Sequence, residues 1–325
     1  MDGELKKYSQ IIRQLGFVVK HQCINESEVR IAKQNVLDGY NSWAHKAYNK
    51  AFLNWGLWDK KVYNEYSKLD FDFSTICNIQ DIYAQLLIYY LISPLIKKQF
   101  YSKRLLEVGC GNGIGVRVCS ELLKTKYALG VDLVSKLVLN ANSNFYKENS
   151  INYISSDAEN LPLANESFDI VTNLESSHLY PQIEHFFSEV DRILIPEGFF
   201  CYADIHVDEK NQEERLQSFI NSRKHLKIIQ KVNITKMVRA AIYERIITRE
   251  KEFYLHAESL FGHEPKTLLT EITALAQAMG LSFLPWWKIR FKTPLLQPIG
   301  KNIRKGAYWG GKKCFFYYLI QKVFK

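Results

Sequence analysis

Between Lys103 and Ile205, short apolar runs alternate with amphipathic stretches, the pattern of β-α-β units that build a parallel sheet. The runs Arg104 to Val108, Tyr127 to Val131, Ile151 to Ile154, Phe168 to Thr172 and Phe199 to Ala203 predict its first five strands. Ile195, Pro196, Glu197 and Gly198 predict a turn just before the fifth. Upstream, apolar residues at helical spacing over Glu28 to Asn54 and Ile79 to Phe100 predict a helical layer ahead of the sheet. The most apolar stretch, Leu86 to Ile96, is interrupted by Ser93 and Pro94. It falls short of the ~20 residues a membrane-spanning helix needs and predicts a packed helix instead.

From His206 to about Gly262 the chain is polar and charged, and Ile234 to Glu250 fits one amphipathic helix. An insertion there would cover the carboxyl ends of the strands. Thr267 to Met279 predicts a helix ended by Gly280, and Leu281 to Ile289 and Cys314 to Gln321 predict the last two strands. The expected fold is therefore α/β: a seven-stranded, mostly parallel Rossmann-like sheet with N-terminal helices and a helical lid insertion. Its expected parts are an N-terminal helical region (1–102), a cofactor-binding core (103–205), a lid or acceptor insertion (206–262), and a C-terminal helix with the last strands (263–325).

At 325 residues and 47% hydrophobic side chains, the chain can bury a full α/β core with helical additions. Its amino end carries Asp2 and Glu4 and lacks the long apolar core and cleavage site of a signal peptide, so a cytoplasmic location is expected. The cysteines Cys23, Cys77, Cys110, Cys119, Cys201 and Cys314 form no C-x-x-C pair, so neither a zinc ribbon nor a disulfide framework is expected, and no metal site is evident. The net charge of +9 is concentrated in residues 301–325, which hold seven Lys and Arg and no acid. Such a segment could hold phosphate or make peripheral contact with an anionic membrane surface. The plainer alternative is a solvated edge strand whose lysines prevent sheet-to-sheet pairing.

The candidate chemistry starts at Leu105-Leu106-Glu107-Val108-Gly109-Cys110-Gly111-Asn112-Gly113, an apolar strand running into a glycine-rich turn and then a helix. Glycines there permit positive φ and let a ligand lie against the backbone amides. A dinucleotide site wants G-x-G-x-x-G, but counting from Gly109 and Gly111 the third position is Ile114, and counting from Gly111 and Gly113 it is Val116. This weakens an NAD-dependent oxidoreductase, the runner-up enzyme. Asp132, closing the second strand, could accept hydrogen bonds from both hydroxyls of a ribose. Asp157, after the third strand, could accept from an adenine amino group. Leu133 and Ala158, beside these acids, complete that end of the candidate site.

After the fourth strand stands a polar cluster from Asn173 to Pro181, including Glu175, His178 and Tyr180. Ligands bind at this end of open parallel sheets. A neutral imidazole at His178 could take a proton from an acceptor hydroxyl, or it could only shape the pocket. Asp204, at the end of the fifth strand, could orient His178 or cap the strand. Neither a Pro-Pro-aromatic tetrad nor a Pro-Cys pair is present to handle a flipped base, so nucleic acid is not an expected partner.

An acid followed by G-x-G-x-G, from Glu107 to Gly113, resembles motif I of the class I S-adenosylmethionine-dependent methyltransferases, and Asp157 to Pro162 is similar to their D-A-x-x-L-P segment. The resemblance implies S-adenosylmethionine as cofactor, held by Glu107, Gly109, Cys110, Gly111, Gly113, Asp132, Leu133, Asp157, Ala158, Asn173 and Glu175. Together with Glu166 to Asp169, Glu175 to His178, Tyr180-Pro181 and Tyr202 to Asp204, these segments resemble the phthiotriolone and phenolphthiotriolone dimycocerosate methyltransferases and, more distantly, the rebeccamycin sugar O-methyltransferase. That likeness implies methyl transfer to a hydroxyl of a small-molecule, polyketide or lipid-like acceptor, with His178 and Asp204 catalytic. Asn54 to Asp59 resembles an N-x-G-x-W element that closes over the cofactor in related enzymes; two core tryptophans are the alternative. A cofactor-binding protein without turnover is the reading of a different class.

Overall fold

The computed structural model describes residues 25–43, 52–76, 81–206, 209–261, 272, 275–276, 279–294, 297 and 313–324. Its frame is a seven-stranded sheet: β1 (Arg104–Val108), β2 (Tyr127–Asp132), β3 (Ile151–Ser155), β4 (Phe168–Leu174), β5 (Leu194–His206), β6 (Leu226–Asn233) and β7 (Cys314–Lys322), in the spatial order β3-β2-β1-β4-β5-β7-β6. The pairs from β3 to β5 are parallel, and β7 runs antiparallel to both β5 and β6.

Successive side chains of a strand point to opposite faces, and the sheet uses both. On one face Leu105, Ala128, Ile170, Phe199 and Cys201 join the larger core. On the other, Leu106, Leu129, Val131, Val171, Phe200 and Tyr202 join a second core. The first face is covered by helices α3 (Ile82–Lys97), α4 (Ile114–Leu123) and α5 (Ser135–Phe145), the second by α6 (Ile183–Ile193) and α7 (Glu209–Asn221). Two further helices precede these, α1 (Glu26–Trp43) and α2 (Lys60–Tyr66). Helix α3 starts where the Asp81 side chain accepts from the Tyr83 and Ala84 amides, satisfying two of the first-turn donors. Leu86, Leu87, Ile88, Leu91, Ile92 and Leu95 on it are buried, as the sequence predicts for a packed helix. Among the described residues, no helix is long and apolar enough to cross a membrane.

The five predicted strands are present and mostly run longer than predicted; β4 continues to Leu174 and β5 to His206. The expected turn at Ile195 to Gly198 lies inside β5. Leu194 pairs with Phe168 and Phe199 with Ile170, so the extra β5 residues form a bulge, with Glu197 at φ +64°.

Three expectations need correction. Leu281 to Ile289 is not a strand: Gly280 at φ +84° precedes a 3-10 turn, Leu281–Phe283, and Pro285 then leads into helix α10 (Trp286–Lys292). Proline fits at a helix start, where a missing N–H costs nothing. The strand it was expected to supply comes from Leu226–Asn233, inside the polar segment between residues 206 and 262. Ile234 to Glu250 is not one helix but α8 (Thr235–Ile242) followed by a π turn (Tyr243–Thr248), with α9 (Glu250–Phe261) beginning at Glu250. The last strand is not an edge: β7 lies between β5 and β6, and Cys314 to Ile320 are buried. Of the basic segment, residues 301–312 lie outside the described residues, as do 44–51 of the expected upstream helix.

The interior position of β7 can be tested by urea unfolding. Phe315→Ala, at a fully buried site, should cost ~3–5 kcal/mol. Ile229→Ala on the outer strand β6, where the side chain is 45% exposed, should stay within ~0.5 kcal/mol. Equal losses would mean that β7 is not enclosed.

Candidate active site

Strand order reverses about β1, which has β2 on one side and β4 on the other, so a crevice opens at their carboxyl ends. The turn leaving β1 folds across it. The Gly109 and Cys110 amides both donate to the Val131 carbonyl, at 2.8 and 3.0 Å, tying the turn to the end of β2. Gly109, Gly111 and Gly113 have φ of +74°, +53° and +82°. A Cβ at Gly109 would press on the Ser176 side chain and stand 2.7 Å from the Tyr180 hydroxyl, and one at Gly113 would stand 2.7 Å from the Ala141 Cβ. The turn is thus closed to larger residues by both conformation and space.

The cavity over this turn is lined by Gly109, Cys110, Gly111 and Asn112 from the turn, Glu107 from β1, Asp132 to Val134 after β2, Ser156 to Glu159 after β3, and Leu174 to Ser176 after β4. Leu53, Asn54 and residues Lys33, Val36 and Tyr40 of α1 close it from the far side. Five carboxylates, Glu107, Asp132, Asp157, Glu159 and Glu175, face one cation, Lys33, among the described lining residues.

The acids are held differently. Asp132 accepts from the Gly111 amide at 2.8 Å and the Val134 amide at 2.9 Å; burial raises its pKa, and these two bonds oppose the rise. Glu107 is 4% exposed, and its Oε2 has no hydrogen-bond partner among the described residues. Burial, then the charge of Asp132, pushes its pKa up to about 8. Glu175 follows β4 at φ +50°, and its Oε2 accepts from the Trp55 amide at 2.7 Å while Oε1 is unpartnered among the described residues. Burial pushes its pKa well up, against the Trp55 bond. Asp157 is already engaged at both oxygens, by Lys33 at 2.5 Å and by the Glu159 amide at 3.0 Å.

His178 and Asp204 meet but do not line the cavity. His178 Nδ1 lies 2.7 Å from Asp204 Oδ1, and Asp204 Oδ2 accepts from the Ser177 hydroxyl at 2.6 Å and the His178 amide at 3.0 Å. Burial would raise the Asp204 pKa, but the charge of His178 and hydrogen bonds from His178, Ser177 and Ile205 hold it below the usual value. In a neutral ring the Nδ1–H donates to Asp204 and Nε2 carries the lone pair. The 3-10 turn that carries the pair, Ser177–Leu179, borders the cavity through Leu179. Gly113 and Asn173 also stand behind the lining: Gly113 precedes α4 and its carbonyl accepts from Tyr153, and the Asn173 amide donates to the Val108 carbonyl at 2.9 Å.

Sequence reasoning missed Lys33, Val36 and Tyr40. Their only sequence signal is the apolar spacing of α1, which says that the helix packs and not on what. Glu159 and Ser176 stood inside quoted motifs without an assigned role.

The sheet order, the glycine turn after β1 and the acid at the end of β2 make a Rossmann-like α/β fold. Residues 106–202 match the family described as "Methyltransferase domain". The chain is similar to the phthiotriol/phenolphthiotriol dimycocerosates methyltransferase of Mycobacterium leprae (strain TN), 39% identical over 121 residues, 37% of this chain and 44% of that protein. It is similar too to the fatty-acid O-methyltransferase of Mycolicibacterium smegmatis (strain ATCC 700084 / mc(2)155), 39% identical over 106 residues, 31% of this chain and 37% of that protein. These matches thus span less than half the length of both relatives. Among solved structures, geranyl diphosphate methyltransferase in complex with GPP and sinefungin has the same fold, with a TM-score of 0.55 at 12% identity, over 90% of this chain and all of that one.

The Glu107 shift makes a stability prediction. Its folded pKa, about 8, lies above its unfolded value, so its contribution is complete below about 4.5 and is lost as pH rises through 8. Glu107→Gln should therefore flatten the fall in Tm of the ligand-free protein between pH 6 and 9. A parallel fall in the variant would show that Glu107 is not the group responsible.

Proposed function

We propose that this cavity binds S-adenosylmethionine and that the chain moves its methyl group to a hydroxyl of a small-molecule, polyketide or lipid-like acceptor. The observation that carries the reading is the pair of buried carboxylate oxygens, Glu107 Oε2 and Glu175 Oε1, left without partners among the described residues in a cavity floored by a glycine turn. Buried acceptors call for donors, and a cationic nucleoside rich in N–H and O–H groups fits them better than a pyrophosphate, whose oxygens offer acceptors and no donors. The two relatives' names support the acceptor class, since one names dimycocerosates and the other a fatty acid and O-methylation.

When bound, the cofactor supplies an electrophilic methyl group on a sulfonium centre that loses its charge as the methyl leaves. The chain's residues divide the remaining work. Asp132, with Glu107 beside it, accepts from the ribose hydroxyls; the Gly109 to Gly113 turn carries the methionine end, and Asn173 fixes that turn from behind. Glu175 faces the donors at that end. Leu133, Asp157 and Ala158 enclose the adenine. His178, oriented by Asp204, takes the acceptor hydroxyl proton at Nε2. Alignment and exclusion of water supply much of the acceleration, so loss of the base weakens activity without removing it. The basic charge within residues 301–312 suits an acceptor presented at an anionic membrane surface, whereas Lys313 is buried and Lys322 donates to the Asp191 and Leu194 carbonyls.

Calorimetry should show binding of S-adenosylhomocysteine and none of NAD. Asp132→Ala should weaken that binding by ~1.5–3 kcal/mol, the range for hydrogen bonds to charged groups; an unchanged Kd would remove Asp132 from the site. In a tritiated-methyl transfer assay against lipid, glycoside and nucleic acid pools, label should enter lipid or small-molecule hydroxyls. His178→Ala should lower kcat more than it weakens cofactor binding. Binding without transfer to any pool would identify a cofactor-binding protein without turnover.

A further inference from the structure

Helix α1 is attached to the molecule unlike any other described helix. Its buried side chains, Ala32 and Val36, belong to neither of the two large cores; they form a small separate cluster with Leu179, against which Tyr40 and Leu133 pack. Yet this helix is a wall of the cavity. Lys33, Val36 and Tyr40 line the inside, while Val29, Arg30, Gln34 and Leu37, with Gln182, line an open groove on the outside. Lys33 belongs to both sides.

Lys33 is also where the helix is fastened. Its Nζ lies 2.5 Å from Asp157 Oδ2 and 2.6 Å from Glu159 Oε2, with the Lys33 side chain 21% exposed and that of Glu159 3%. Both acids are fixed from behind: Asp157 accepts from the Glu159 amide, and Glu159 accepts from the Gln182 amide. Burial alone would lower the Lys33 pKa, but its hydrogen bonds to the two acids outweigh that and hold the ammonium charged. A charged lysine seated on two anchored carboxylates, on a helix with few apolar contacts, is the main restraint at that point.

We propose that Lys33 is a positioning residue that clamps α1 over the cavity, and that a nucleoside enters and leaves only when its ion pairs with Asp157 and Glu159 open. The ligand half of this rests on the cofactor reading above; the clamp half does not. Tyr40, two turns further along α1, moves with it. Its hydroxyl feels burial and then the negative charges of Asp132, Glu175 and Asp204, which keep it protonated as a donor facing the acids. Opening the clamp would therefore withdraw a donor from the methyl-transfer end as well as a cation from the adenine end.

Two measurements on the full chain test this. Hydrogen exchange without ligand should show the amides of Val29 to Tyr40 exchanging at least about tenfold faster in Lys33→Met than in wild type, with sheet amides unchanged, and Lys33→Arg should restore protection. Glu159→Gln should give a smaller effect of the same kind. Stopped-flow release of S-adenosylhomocysteine should be at least about tenfold faster in Lys33→Met, and Lys33→Arg should return it toward the wild-type rate. Unchanged α1 exchange in Lys33→Met would overturn the clamp, and an unchanged release rate would overturn its control of ligand exit. If wild type bound no S-adenosylhomocysteine, the cofactor reading would fall, and the exchange comparison would still decide the clamp.

Discussion

The constraint on which the site depends is the cost of burying carboxylates. Glu107 and Asp132 stand near the ends of adjacent strands in a medium that does not solvate charge well; burial raises the pKa of both, and the charge of Asp132 adds to the cost of ionising Glu107. The chain answers unevenly. Asp132 receives two backbone amides and is anchored, whereas Glu107 keeps an oxygen without a partner among the described residues. That asymmetry anchors one acid at its place beside the turn and leaves the other with an oxygen still open to a donor. The three positive-φ glycines serve the same end, because the conformation that brings the turn's amides to Val131 and Asp132 is one that residues with a Cβ rarely adopt.

Asp204, paired with His178, solves the same problem by different means. Asp204 is wholly buried, and its charge is matched by the histidine it orients and by the Ser177 hydroxyl and two backbone amides. A carboxylate so fully engaged is a fixed electrostatic reference. It fixes the orientation of the His178 ring, and the short turn from Ser177 to Leu179 carries the pair to the edge of the cavity.

Much of this was legible in the sequence because it is local. The glycine turn, the acid closing β2 and the alternating apolar runs each express one element and its immediate end, and the structure places them as the pattern predicts. What was not legible depends on partners distant in the chain. The short polar strand Leu226–Asn233 has only its pairing with β7 to make it a strand, and its half-exposed side chains show no clean alternation. Leu281 to Ile289 has the composition of a strand, and Gly280 and Pro285 turn it aside. Lys33 reads as one more solvated charge on a helix until β3 brings Asp157 and Glu159 beneath it.

The place of β7 has a consequence for how the molecule is made. Because β6 touches the sheet only through β7, a ribosome delivers β6 long before the strand that will receive it. Until then β5 presents an open hydrogen-bonding edge rich in aromatic residues, and the nascent chain carries a sticky border that other chains could pair with. The parallel half, with its glycine turn, can form earlier. Assembly therefore has a natural order, the cradle first and the outer flank last, and the risk of misassembly is concentrated at that seam.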